Sequence, residues 1–115
     1  MDGLIMNIKD SIQQMIDKFH SKVENDGKMR EELSGVVKKV NLDLGSERYS
    51  FILDNGRVHS FQEELLNDAD VSVMTDPQTL EGLVSGKIRP MKALALRKLK
   101  LKGDFEDLLR FRKFF

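Results

Sequence analysis

The sequence predicts an α+β domain: a mostly antiparallel five-stranded sheet with helices packed on one face. Three observations predict it. Apolar residues near the N-terminus recur every three or four positions, and those of the middle recur every second position. The last third returns to short helical patterns around one more alternating strand. The chain has 115 residues, 40% of them hydrophobic and 33% charged. That suits a single folded domain, 1–115, in which residues 1–7 form a loose leader.

The first helix starts at Ile8. Ile8, Ile12, Met15, Ile16, Phe19 and Val23 draw one stripe, and Lys9, Asp10, Gln13, Asp17 and Lys22 take the other side. Asn25-Asp26-Gly27 turns the chain into a shorter helix, Lys28 to Leu33. The period then changes to two. Val40, Leu42 and Leu44 share one face of a strand, with Asn41 and Asp43 on the other. Tyr49, Phe51 and Leu53 point inward on the return strand, Arg48 to Asp54. Asn55-Gly56 supplies the positive backbone angles of a tight hairpin. Arg57 to Gln62 is the third strand, with Val58 packing and Phe61 on the opposite phase. After an acidic connection, Val71 and Val73 mark a fourth strand, which completes a meander.

Thr75 or Asp76 caps a helix that begins with Pro77 and buries Leu80, Leu83 and Val84. Pro90 opens another short helix, apolar nearly all round and so expected to be largely buried. In Lys98-Leu99-Lys100-Leu101-Lys102 the leucines should face the core and the lysines water. Gly103-Asp104 then leads into a last helix with Phe105, Leu108 and Leu109 as its stripe.

Several classes of chemistry find no support. There is no cysteine, hence no disulfide framework, thiolate metal site or redox centre. His20 and His59 stand without companion ligands, so no metal or other cofactor is expected. No serine sits in a nucleophile elbow, and Gly82 and Gly86 lack phosphate-loop spacing. A non-catalytic protein is expected. Signal-peptide and membrane-span patterns are absent, and a cytoplasmic protein is expected.

Net charge is zero but unevenly spread. Residues 41–86 hold two basic and nine acidic side chains, and residues 87–115 hold ten basic and three acidic. The basic cluster includes Lys87, Arg89, Lys92, Arg97, Lys98, Lys100 and Lys102. It reads either as a solvated face or as a contact for anionic headgroups at a membrane. Nucleic acid is disfavoured, because no aromatic residues interleave with these cations.

An ordered set of motifs carries a resemblance. Ala69-Asp70-Val71 comes first, then Leu83-Val84-Ser85-Gly86-Lys87 with Pro90 and Ala93, then Lys98-Leu99-Lys100-Leu101-Lys102-Gly103-Asp104. This order and spacing resembles the sterol carrier protein 2 family from about Val36 onward. The resemblance implies an SCP2-like fold enclosing an apolar tunnel. It also implies non-catalytic binding of a fatty acyl chain, acyl-CoA, isoprenoid, phospholipid or sterol, sometimes with transfer between membranes. Such domains also occur appended to larger enzymes. Two departures stand out: Arg97 replaces the glycine usual before the Lys-Leu-Lys strand, and the chain ends soon after its last helix.

For such a tunnel the candidate walls are Phe51, Leu53, Val73, Leu80, Leu83, Leu94, Phe105, Leu108 and Leu109, each also suited to ordinary core. Met15, Met74 and Met91 would add adaptable lining. Lys98, Lys100 and Lys102 are the candidate headgroup contacts. The rival reading is an interaction module with a filled core, forming a homodimer through Phe111, Phe114 and Phe115.

Overall fold

Asn7 sets the start of the first helix: its Oδ1 accepts the Asp10 N–H at 3.0 Å. The computed structural model describes residues 7–111, without the Phe111 side chain, so the phenylalanines assigned to a dimer contact lie outside the described side chains. Helix α1 (Ile8–Asn25) buries the whole expected stripe from Ile8 to Val23. Asp26 caps α2 (Gly27–Leu33) through the N–H groups of Lys28 and Met29. Arg30 reaches back to the carbonyls of Val23 and Glu24, closing the free end of α1.

Strands β1 (Val37–Asp43), β2 (Arg48–Asp54) and β3 (Arg57–Gln62) form an antiparallel meander. Asn55 and Gly56 have φ of 51° and 84°, the hairpin conformation the sequence calls for. The Asn55 Oδ1 also accepts the Gly35 N–H, which fixes the entry to β1.

The fourth strand departs from the expected meander. β4 (Val71–Met74) does not follow β3 but pairs in parallel with β1, giving the order β3-β2-β1-β4-β5. The sheet is therefore mixed, with three antiparallel pairings and one parallel. The acidic connection, residues 63–70, makes this possible. Eight extended residues reach about 26 Å, enough to run the length of a strand. Asn41 pins the segment by accepting the Leu66 N–H and donating to the Leu66 carbonyl, both at 2.8 Å. Asn41 and Ser50 point away from the apolar face, and both are nonetheless buried.

Phe61 also departs from its expected phase. A bulge between the Ser50 and Ile52 pairings places Ser60 at φ 58° and adds one residue to β3. Val58 and Phe61 can then both pack on the core, and Phe61 stacks on Tyr49 with centroids 5.5 Å apart. Burial pushes the Tyr49 phenol far above its usual range, and its hydrogen bond to Glu47 adds to the shift.

Helix α3 (Pro77–Ser85) packs beside α1 over the apolar face. Asp76 caps it, accepting the Thr79 N–H at 2.7 Å and the Thr79 hydroxyl at 2.8 Å. At Gly82 a Cβ would lie 2.3 Å from Ile88 Cδ1, so glycine lets Ile88 seat against the helix and aim the chain toward α4 (Pro90–Ala95). Strand β5 (Lys100–Gly103) pairs with β4, and α5 (Phe105–Phe111) rests on β5.

Helix α4 is not the buried helix its composition suggests. Ala93 is buried and Leu94 half-buried, but Met91 is 75% and Leu96 56% exposed. Six residues make fewer than two turns, and only one side reaches the core.

Two outcomes follow from this packing. Gly82→Ala should lower stability by about 1–3 kcal/mol in urea unfolding, because Ile88 must shift. The carboxyls of Asp54, Asp68 and Asp76 are all held below the usual range, chiefly by bonds from the Asn55 amide, the Lys39 ammonium and the Thr79 N–H respectively. Their contribution is present above the unfolded carboxylate range, roughly pH 4, and disappears as pH falls through the depressed folded values. Urea midpoints should therefore drop on acidification through that window, and the drop should be smaller in Asp76→Ala.

Candidate functional site

The apolar layer lies between the inner face of the sheet and helices α1 and α3. Val40, Phe51, Leu53, Val71 and Val73 supply the sheet side. Leu80 and Leu83 supply α3, and Ile12, Met15, Ile16 and Phe19 supply α1.

The nine residues expected to line a tunnel divide into three groups. Phe51, Leu53, Val73, Leu80 and Leu83 are buried together in this layer. Leu94 and Leu108 are half-buried and pack against its margin. Phe105 and Leu109 are 75% and 42% exposed on α5. Of the methionines, Met15 is in the layer, whereas Met74 lies on the phase of β4 opposite Val73, and Met91 faces solvent.

Among the described side chains of α5, the most completely buried is an acid. Asp107 is 4% exposed. Its Oδ1 accepts Arg110 Nη1 at 2.7 Å and lies 3.3 Å from Lys38 Nζ. Lys38 pairs with Leu53 across the sheet and shares the inward phase of Val40 and Leu42. The cluster therefore ties the helix to the start of β1 across the edge of the apolar layer. An open cleft of about 610 Å³ runs along it, lined by Val36, Val37, Lys38, Phe105, Asp107 and Arg110 among others. The sequence reading missed this cluster. Its signals were a lysine on the apolar phase of β1 and an Asp–Arg pair three apart in α5.

The three lysines expected to meet headgroups are all exposed. Lys98 borders a cleft of about 420 Å³ with Lys87, Arg89, Lys92 and Leu96. Lys100 and Lys102 pair with Met74 and Ser72, on the phase opposite Leu101 and the core. Leu99 is buried and Leu101 half-buried, as the alternation predicts. Arg97 takes φ 59°, so the left-handed turn that favours glycine is kept with an arginine in it.

The histidines serve structure. His20 Nε2 accepts the Val58 N–H of edge strand β3 at 2.9 Å. His59 sits beside Asp54, at 3.1 Å. Among the described residues no group of three or more His, Cys, Asp or Glu could hold a metal ion, and no helix is long and apolar enough to cross a membrane.

The family model of the SCP-2 sterol transfer family matches residues 12–115. The chain belongs to the SCP-2 sterol transfer family. No curated protein matches it. Solved structures share the SCP-2 fold at low identity. Sterol Carrier Protein 2 Like 2 from Aedes aegypti is 19% identical, with a TM-score of 0.58 over 93% of this chain and 97% of that one. A ubiquinone synthesis protein, UbiJ-SCP2, is 18% identical, with a TM-score of 0.66 over 93% and 91%. The inverting sec-alkylsulfatase Pisa1 from Pseudomonas sp. is 23% identical, with a TM-score of 0.60 over 74% of this chain. This SCP-2 chain spans only 13–14% of the two alkylsulfatase chains it matches.

Asp107→Ala would leave Lys38 and Arg110 without their shared acceptor. The expected loss is about 1–3 kcal/mol in urea unfolding, below the full buried-pair cost because Lys38 stays partly wet. Hydrogen exchange should accelerate in α5 while α1 keeps its protection. Equal acceleration in both would mean the cluster does not hold α5 specifically.

Proposed function

We propose that this domain binds a lipid without catalysis, sequestering an acyl, isoprenoid or sterol-like body between its sheet and helices, and passes it between membranes in the cytoplasm. The observation that carries this reading is the family match across residues 12–115. A related structure is that of palmitated SCP2L2 from Aedes aegypti. The continuous apolar layer around Phe51, Val73, Leu80 and Leu83 supports it.

These walls are close-packed, so a guest has to part them. The margin beside α5, where Leu108 packs against the layer and Phe105 and Leu109 are exposed, is the natural entrance. Burial returns about 0.8 kcal/mol per methylene, so a ten-carbon segment gains roughly 8 kcal/mol. That exceeds the roughly 1–3 kcal/mol held in the Asp107 cluster, and α5 can yield to a long chain but not to a short one.

A second reading is an interaction module with a filled core. The near-complete burial of Phe51, Val73 and Leu80 favours it.

Delipidated protein titrated with a fluorescent fatty acid, then with unlabelled competitors, separates the two. The expected result is one bound lipid per chain by native mass spectrometry, with displacement that strengthens with chain length. No bound lipid and no displacement at any length would sink the lipid reading. A stable dimer without bound lipid, seen by sedimentation, would then favour the second.

A further inference from the structure

Between Glu81 and Asp104 the chain carries seven cations and no acid. Five of them, Lys87, Arg89, Lys92, Arg97 and Lys98, lie in or beside α4, and all are exposed. None makes an ion pair among the described residues. Arg97 sits at a left-handed backbone position, where an L side chain costs roughly 1–2 kcal/mol relative to right-handed geometry. Among these cations α4 exposes Met91 and the turn that follows it exposes Leu96, and Leu96 and Ala93 share a cleft with four of the five charges.

Exposed apolar side chains set among cations that make no ion pair suit a partner that is anionic at its surface and apolar just beneath. A bilayer with acidic headgroups has both properties. Nucleic acid has the phosphates, but α4 offers no aromatic ring for stacking and its aliphatic side chains would gain nothing.

We propose that α4 and its two flanking turns form the surface on which this domain docks to anionic membranes. The cations meet headgroup phosphates while Met91 and Leu96 enter the acyl boundary. Ile88, seated against Gly82, sets the height of α4 above the core. The inference deepens the lipid-transfer reading and rests on it, but it concerns the outer surface rather than the interior.

The test is co-sedimentation of the full chain with vesicles of phosphatidylcholine, alone or mixed with phosphatidylglycerol. Binding should appear only with the anionic lipid and weaken as salt is added. Lys87→Gln with Lys92→Gln should lower it about twentyfold, near fivefold per cation. Leu96→Ser should lower it about fivefold. Both variants should still take up the fluorescent fatty acid in vesicle-free solution. Absence of anionic-vesicle binding, or variants that bind like the parent, would overturn the docking surface even if fatty-acid uptake is intact. Loss of uptake in the parent would instead strike the lipid-binding reading. Tighter binding to duplex DNA than to vesicles, unchanged by Leu96→Ser, would overturn the proposal in favour of nucleic acid.

Discussion

The parallel pairing of β4 with β1 is the constraint on which the rest of the molecule depends. It sends the chain from β3 across the outer face of the sheet and brings it back on the far side of β1. From there α3 can only fold over the inner face, against α1, and β5 can only pair at the outer edge of β4. The short connection between α3 and β5 then has to travel along the rim, which is why α4 is left with one side in the core and one in water. Asn41 holds this arrangement through two bonds to Leu66. A buried side chain that satisfies both polar groups of one crossing residue fixes the path of a loop that has little apolar surface of its own.

The elements themselves were legible because periodicity and caps report local geometry. The stripe of α1, the Asn55-Gly56 hairpin, the Asp76 cap and the alternation around Leu99 and Leu101 all lie where the pattern puts them. Topology was less legible. An acidic stretch such as Glu63–Asp68 looks the same whether it turns a hairpin or crosses a sheet. Alternation puts Phe61 on the opposite phase, and it packs inward because a bulge at Ser60 adds a residue that alternation cannot count. Composition likewise misread α4, since an apolar helix is buried only if neighbours exist on every side.

The candidate site shows the same division. Phe51, Leu53, Val73, Leu80 and Leu83 were readable as inward residues, and they do converge. On α5 the stripe reading gives Phe105, Leu108 and Leu109; Leu108 does pack against the core, but among the described side chains the one that turns inward most fully is Asp107. Its reason lies 69 residues away, in the lysine that β1 carries on its apolar phase. The outcome is an apolar interior closed at one margin by charge, and a rim helix that displays charge and apolar surface together. The first feature suits the keeping of a lipid, and the second suits its exchange.

The central claim is that the layer between sheet and helices opens for a lipid chain. Methyl NMR with a spin-labelled fatty acid tests it most directly. A chain that enters should broaden the methyl signals of Val73, Leu80 and Leu83 more strongly than those of exposed Leu96, one label per protein. Broadening confined to surface methyls, with the interior signals unchanged at saturation, would contradict the account.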